Sequence, residues 1–259
     1  MQIRDKVVLV TGASQGIGAA TARAFAKRGA RLAVTARSEE RLRDLDLAGA
    51  FVAPGDLLNP ADRRRIVESA LAYYGRVDVL VNNAGIGTYA RAFDAPMDQV
   101  RSLFELNLFA AIELIQLASA GMRERRSGTI VNVSSIVGKV TMPWSALYSA
   151  SKYAVCSLTD GLRMELRPFG VHAMAVCPGY VRTGFQAHVL AGSAPANLAG
   201  ARARFAITPE QCAEAIVRGV ERDARTVMTP RKGWLMVAAA RLAPGLVDAQ
   251  FERMYRRNR

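Results

Sequence analysis

The sequence predicts an α/β fold: a single domain over 1–259, built on a doubly wound parallel sheet of about seven strands with helices on both faces. Three observations predict it. Short apolar runs alternate with stretches long enough for crossover helices. Most of the runs are near-continuous Val, Ile, Leu and Ala, as expected of parallel strands buried on both faces. The first run passes directly into a glycine-rich turn and then a helical stretch.

Taken in order, the expected strands are 6–11, 31–36, 50–55, 77–82, 129–133, 172–176 and 226–229. Several helix boundaries are legible between them. After the glycine turn, 19–28 reads as a helix. Asn59-Pro60 offers a capping side chain followed by proline at the first helical position. Thr208-Pro209-Glu210-Gln211 has the pattern of a capping box. Pro168 and Gly170 stop a helix that begins near Ser145. The stretch 184–206 breaks this rhythm, with Gly192, Pro195 and Gly200 among small residues. It reads as a substrate lid, because ligands of such sheets bind beyond the carboxyl ends of the strands.

Composition narrows the function classes. The chain has 259 residues, 51% hydrophobic and 22% charged, with 35 basic and 22 acidic residues and a net charge of +13. Only Lys6, Lys27, Lys139, Lys152 and Lys232 are lysines. The arginines form no long run and have no interleaved stacking aromatics, so they read as a solvated surface and no nucleic-acid partner is expected. Cys156, Cys177 and Cys212 are widely spaced and there are two histidines, which matches neither a disulfide framework nor a metal site. The start, MQIRDKVVLVTG, does not read as a signal peptide, and no run of 18 apolar residues predicts a membrane span. A reduced, cytoplasmic protein is expected.

The turn Thr11-Gly12-Ala13-Ser14-Gln15-Gly16-Ile17-Gly18 lies between strand and helix, where backbone N–H groups and the helix dipole favour a pyrophosphate. Its spacing is G-x-x-x-G-x-G rather than G-x-G-x-x-G, but its context is that of a dinucleotide site. An acid about 20 residues further on would bind the ribose 2′-hydroxyl of NAD. This chain has Ala36 and then Arg37, which suits the 2′-phosphate of NADP(H). NADP(H) is therefore the preferred cofactor and NAD(H) the second candidate. Asp56 is expected to accept from the adenine amino group, and Asn82-Asn83-Ala84-Gly85 to face the cofactor.

Tyr148 and Lys152 share a helix face. A tyrosine pKa of about 10 needs lowering by roughly three units for proton exchange near neutrality. A neighbouring ammonium and a cationic nicotinamide would supply that. Ser135, just past the fifth strand, can hold a substrate oxygen. Asn107, in the preceding helix, can hold a water behind Lys152.

With these motifs in place, the chain resembles the short-chain dehydrogenase/reductase family. TGASQGIG (11–18), Asp56, NNAG (82–85), Asn107 in LNLFA, VSS ending at Ser135, YSASK (148–152) and PGYVRT (178–183) occur in the family's order over nearly the whole chain. The resemblance implies a Rossmann fold and a catalytic tetrad of Asn107, Ser135, Tyr148 and Lys152. It implies a cofactor surface made by Gly12, Ser14, Gln15, Gly16, Ile17, Gly18, Arg37, Asp56, Leu57, Asn83, Ala84, Gly85, Tyr148, Lys152, Pro178, Gly179, Val181 and Thr183, with no metal. Many NADP-preferring relatives carry a basic residue before the second motif glycine; here it is Gln15. The resemblance also implies a homodimer or homotetramer pairing through helices near 96–123 and 148–167.

Ile86, Tyr89, Ile136, Val140, Trp144, Tyr180 and Phe185 are expected to face the substrate. Their apolar character points to a lipophilic ketone, aldehyde or secondary alcohol of steroid, retinoid or fatty-acyl type. The tail, 231–259, combines apolar residues with Arg and Trp. It reads as a peripheral membrane contact, a cover for the pocket or a subunit interface. A catalytically silent dinucleotide sensor and an NAD-dependent alcohol dehydrogenase are the alternative functions; the sensor should have lost Tyr148 or Lys152, and both are present. Replacing Arg37 with Asp is expected to shift nucleotide preference toward NAD(H); unchanged preference in a binding titration would remove Arg37 as the selector.

Overall fold

A computed structural model describes residues 1–185, 189–190 and 206–256. Seven strands form one parallel sheet in the order β3-β2-β1-β4-β5-β6-β7. They are β1 (Val7–Thr11), β2 (Arg31–Thr35), β3 (Phe51–Val52), β4 (Val79–Asn82), β5 (Gly128–Val133), β6 (Val171–Pro178) and β7 (Thr226–Thr229). All seven expected strands are present. The third, an edge strand pairing only with β2, is shorter than the expected 50–55, although the Ala53 and Gly55 N–H groups still donate to the Val34 and Ala36 carbonyls.

The helices are α1 (Gly16–Ala26), α2 (Glu39–Arg43), α3 (Pro60–Tyr74), α4 (Met97–Phe104), α5 (Ala110–Glu124), α6 (Ala146–Leu166), α7 (Pro209–Glu221), α8 (Gly233–Leu242) and α9 (Pro244–Arg256). Asn59 caps α3 by accepting from the Ala61 N–H, with Pro60 in the first turn. Thr208 and Gln211 form the reciprocal capping box of α7. Gly170 ends the turn after α6 in the left-handed conformation.

Alternation along the strands divides the core. Val8, Val10, Val79, Val81, Val131 and Val176 face α1 and α7, meeting Phe25, Ile216 and Val220. Leu9, Leu80 and Ile130 face the other side, where α3 contributes Ile66 and Val67 and α5 contributes Leu114, Ile115 and Met122. A smaller cluster of Val140, Cys156, Cys177, Met228 and Val237 lies under Met236, Ala240 and Phe251 of α8 and α9. The three cysteines are free thiols.

Residues Met97–Glu124 form one continuous helical stretch, long and apolar enough by composition to cross a bilayer. Its α5 face is instead part of the core against α3 and the sheet. The expected lid, 184–206, lies mostly outside the described residues, as does the chain end, 257–259.

Candidate active site

Strand order reverses between β1 and β4, and this is where an open α/β sheet leaves a crevice at its carboxyl edge. Thr11 closes its floor. Its Oγ1 accepts from the Asn83 N–H and the Ala84 N–H, each at 3.0 Å, and donates to the Val81 carbonyl at 3.3 Å. Asn83 ties the glycine turn to β4, donating from Nδ2 to the carbonyls of Thr11 (2.8 Å) and Gly12 (3.3 Å).

The turn is shaped for a group that needs close backbone approach. Gly12 and Gly16 have left-handed φ angles of 63° and 56°. A Cβ on Gly18 would come within 2.2 Å of the Gly12 carbonyl oxygen, and one on Gly16 would press on Thr183 at 3.1 Å. The N-terminus of α1, beside Thr183, thus presents backbone N–H groups of the kind that suit a pyrophosphate. A groove of about 310 Å³ also borders Ser14, Gln15 and Gly16 from the side of Arg23 and Arg41, away from the tetrad.

Arg37 stands exposed just after β2, beside Ala36, and pairs with no carboxylate among the described residues. Asp56 follows β3; its Oδ1 accepts from the Leu58 N–H at 3.0 Å, and its own N–H donates to Asp62 at 2.8 Å. The Leu57 side chain is buried in the core, so only its backbone can serve a cofactor. Asn82, expected to face the cofactor with its neighbours, points into the sheet. It is buried and donates to Asn132 at 2.9 Å, and Asn132 in turn donates to Thr159.

The four expected catalytic residues converge beside this crevice. Tyr148 and Lys152 are one turn apart on α6, with Lys152 Nζ 5.7 Å from the centre of the Tyr148 ring. Lys152 is 4% exposed and donates to the Val133 carbonyl at 3.0 Å. Ser135, just past β5, accepts from the Val137 N–H at 3.3 Å and lies 3.4 Å from the Pro178 carbonyl, close enough to Tyr148 to lower its pKa. Asn107 sits in a wider π-helical turn, Glu105–Phe109, between α4 and α5, not in regular α-helix. Its carboxamide accepts from the Ile86 N–H and donates to the Ile86 carbonyl, both at 2.9 Å, and donates to Ser151 at 3.1 Å. Both Asn107 Oδ1 and Lys152 Nζ border Gly85, where a Cβ would meet them at 2.9 and 3.3 Å.

The electrostatics differ from the expectation of a lowered tyrosine pKa. Burial pushes the Tyr148 phenol upward, and Tyr89 adds to this, while the Ser135 hydrogen bond pulls the other way. Burial likewise pushes Lys152 down, to about 8, with the Cys156 and Cys177 thiols opposing the shift. Desolvation is the leading cause at both groups.

Among the expected substrate-facing residues, Phe185 lies 6.0 Å ring to ring from Tyr148. Trp144, held at a positive φ of 57°, packs against Tyr255 of α9 at 4.8 Å. The tail thus touches the segment leading into α6. Val140 does not face the site: it is buried with Cys156 and Cys177, because the short 3₁₀ turn after Ser135 folds it inward. No group of three or more His, Cys, Asp or Glu residues able to hold a metal occurs among the described residues.

Three working side chains were missed in the sequence. Ser134 Oγ donates to the Lys152 carbonyl at 2.8 Å. Ser151 links Asn107 to the Tyr148 carbonyl, donating to it at 2.8 Å. Arg63 is fully buried. Ser134 and Ser151 lie inside quoted motifs and could have been singled out there; Arg63 is three and seven residues before Ile66 and Ala70, the spacing of a buried helix face.

A glycine cradle at the strand-order reversal, joined to a half-buried Tyr148 and a buried Lys152 with Ser and Asn beside them, defines an NAD(P)-dependent dehydrogenase or reductase. Comparison with known proteins agrees. The short chain dehydrogenase family model matches residues 6–193. The ketoacyl reductase HetN of Nostoc sp. is 38% identical, over 98% of this chain and 89% of that protein. A short-chain dehydrogenase of Sphingobium yanoikuyae, solved with NADPH, superposes with a TM-score of 0.77 at 30% identity, over 94% of this chain and 95% of the other. One from Burkholderia phymatum, solved with NAD, gives 0.82 at 26% identity, over 96% of each. The chain belongs to the short-chain dehydrogenase/reductase family.

The Lys152 shift has a measurable consequence. Its folded pKa is depressed, so between about pH 8 and its ordinary value of about 10.4 the unfolded chain binds more protons and stability rises with pH. Denaturant titrations should show Lys152→Met lacking this rise, a difference in slope of up to about 1.4 kcal/mol per pH unit. Parallel profiles would mean that Lys152 is not desolvated as described.

Proposed function

We propose that the protein is an NADP(H)-dependent reductase of a lipophilic ketone or aldehyde. The observation that carries the cofactor choice is Arg37, exposed beyond β2 with alanine where an acid would bind a free ribose hydroxyl. The glycine cradle and Thr183 would hold the pyrophosphate, Asp56 and Leu57 the adenine side, and Asn83 through Gly85 with Pro178, Gly179 and Val181 the nicotinamide side. When bound, the nicotinamide supplies the hydride.

The chain's own residues supply the proton and the geometry. The raised Tyr148 pKa keeps the phenol protonated at neutral pH, ready to donate to a carbonyl oxygen. Ser135, beside that phenol, would donate to the same oxygen and fix its approach. Lys152 would bind the nicotinamide ribose and stabilise the tyrosinate left after transfer. Asn107 would support proton return through water near Lys152. A protonated acid favours the reductive direction.

The Phe185 ring, 6.0 Å from that of Tyr148, supports a lipophilic substrate. The tail supports delivery from a membrane surface. On α8 and the start of α9, Leu235, Leu242 and Leu246 are 72%, 86% and 76% exposed, and Trp234 is also exposed. Arg231, Lys232 and Arg241 flank them, with no acid between 231 and 247. An apolar stripe bordered by cations suits an anionic lipid surface. NAD-dependent alcohol oxidation is the second reading, favoured by Gln15 in place of a base.

Titration calorimetry with NADPH and NADH tests the cofactor. At least tenfold tighter NADPH binding, about 1.4 kcal/mol, is expected, and equal or tighter NADH binding would reverse the preference. In a carbonyl screen, Tyr148→Phe should lose at least about a hundredfold in turnover. Binding of either nucleotide with no turnover by the parent in the screen would favour a silent scaffold, and turnover unchanged by Tyr148→Phe would remove Tyr148 as the acid. Flotation should recover the protein with anionic but not neutral vesicles; no recovery with either would end the membrane reading.

A further inference from the structure

Arg63 is fully buried, yet it is the first of three consecutive arginines, of which Arg64 and Arg65 are exposed. Its guanidinium reaches two segments remote in sequence. On one side Nε donates to the Leu57 carbonyl at 2.6 Å, and Nη2 lies 3.4 Å from that of Leu58. On the other, Nη2 donates to Glu105, and Nη1 lies 2.9 Å from Glu113 Oε1. Glu105 opens the π-turn that carries Asn107, and Glu113 lies on α5 just beyond it.

The adenine-side loop is gripped by the same helix start. Asp62 accepts from the Asp56 N–H at 2.8 Å, and Arg65 donates to the Pro54 carbonyl at 2.7 Å. Only Arg63, however, also reaches the π-turn. A guanidinium can do this because its planar fork presents five donors at fixed angles; a lysine would satisfy one side at a time. Burial makes the arrangement stringent, since a charge without water must keep all its partners.

We propose that Arg63 is a positioning residue that locks the 56–58 loop and the Asn107 turn into one unit, so that the two ends of the dinucleotide site share a single geometry. This assignment rests on the proposed roles of Asp56 and Asn107 for its catalytic meaning, but the lock itself is readable without cofactor. Asn107 Oδ1 holds the Ile86 N–H, and Asp56 Oδ1 holds the Leu58 N–H. These two amides report the two ends.

The test is amide hydrogen exchange on the whole chain, comparing the parent with Arg63→Met, Arg63→Lys and Glu105→Gln. Arg63→Met should speed exchange at both Ile86 and Leu58 by at least tenfold, while the β1 amides of Leu9 and Val10 stay within twofold. Glu105→Gln, which retains a fully buried arginine, should speed Ile86 more than Leu58. Arg63→Lys should lie between the parent and Arg63→Met at one end only. Equal acceleration at every protected amide, or none at Ile86, would overturn the proposal and leave Arg63 a general packing residue. If Arg63→Met fails to fold, Glu105→Gln decides alone by the same criterion.

Nucleotide titration and kinetics then separate the two readings. With the lock in place as described, Glu105→Gln weakens NADPH binding and lowers kcat together, each severalfold, with KM for the carbonyl little changed. Local exchange effects in a parent that binds no nucleotide would keep the lock and reject the proposed function. Unchanged nucleotide affinity and kcat despite local exchange effects would reject the positioning role.

Discussion

The crevice that everything else uses opens between β1 and β4 because the helices leaving those strands depart to opposite faces of the sheet: α1 to the α7 side, α5 to the α3 side. Such a gap would leave two strand ends with unpaired backbone groups. A single hydroxyl repairs it. Thr11 Oγ1 takes both the Asn83 and Ala84 N–H groups, and Asn83 returns its amide to the carbonyls of Thr11 and Gly12. With the floor fixed in this way, the glycine turn has no freedom to collapse, and a bare Gly18 under the Gly12 carbonyl becomes a requirement of packing as much as of binding.

From that floor the rest of the site follows by layers. Just past β5, Ser134 donates to the Lys152 carbonyl and Ser135 lies against the Pro178 carbonyl. α6 presents Tyr148 and Lys152 on one stripe, and Ser151, one position away, connects that stripe to Asn107. Asn107 is the most firmly held member, with three hydrogen bonds from its carboxamide, while the Lys152 ammonium is anchored on the Val133 carbonyl.

Much of this was legible in the sequence. The strands are short and uniformly apolar, so their burial on both faces could be read directly. The caps at Asn59 and Thr208 are local chemistry, fixed within four residues, and both form as read. The motifs carried the site because their spacing fixes which strand ends meet. What escaped depends on distant partners. Asn82 resembles its neighbour Asn83 in sequence, but the pleat sends it into the sheet toward Asn132. Val140 turns inward because of a 3₁₀ turn that leaves no compositional mark. The direction of the Tyr148 shift turns on desolvation, which a residue pattern does not display.

The π-turn at Glu105–Phe109 has an effect beyond the asparagine it carries. An extra residue in one turn rotates everything after it by about 100° relative to an unbroken α-helix. Across Met97–Glu124 the two halves are thus out of phase, and α4 and α5 address different neighbours: α4 the flank of α6, α5 the flank of α3. A wheel drawn through all 28 residues would assign the wrong lining to one half. The same phase slip lets one rod-like segment pack on two different neighbours, so the residues that suit one half are set by a different surface from those that suit the other.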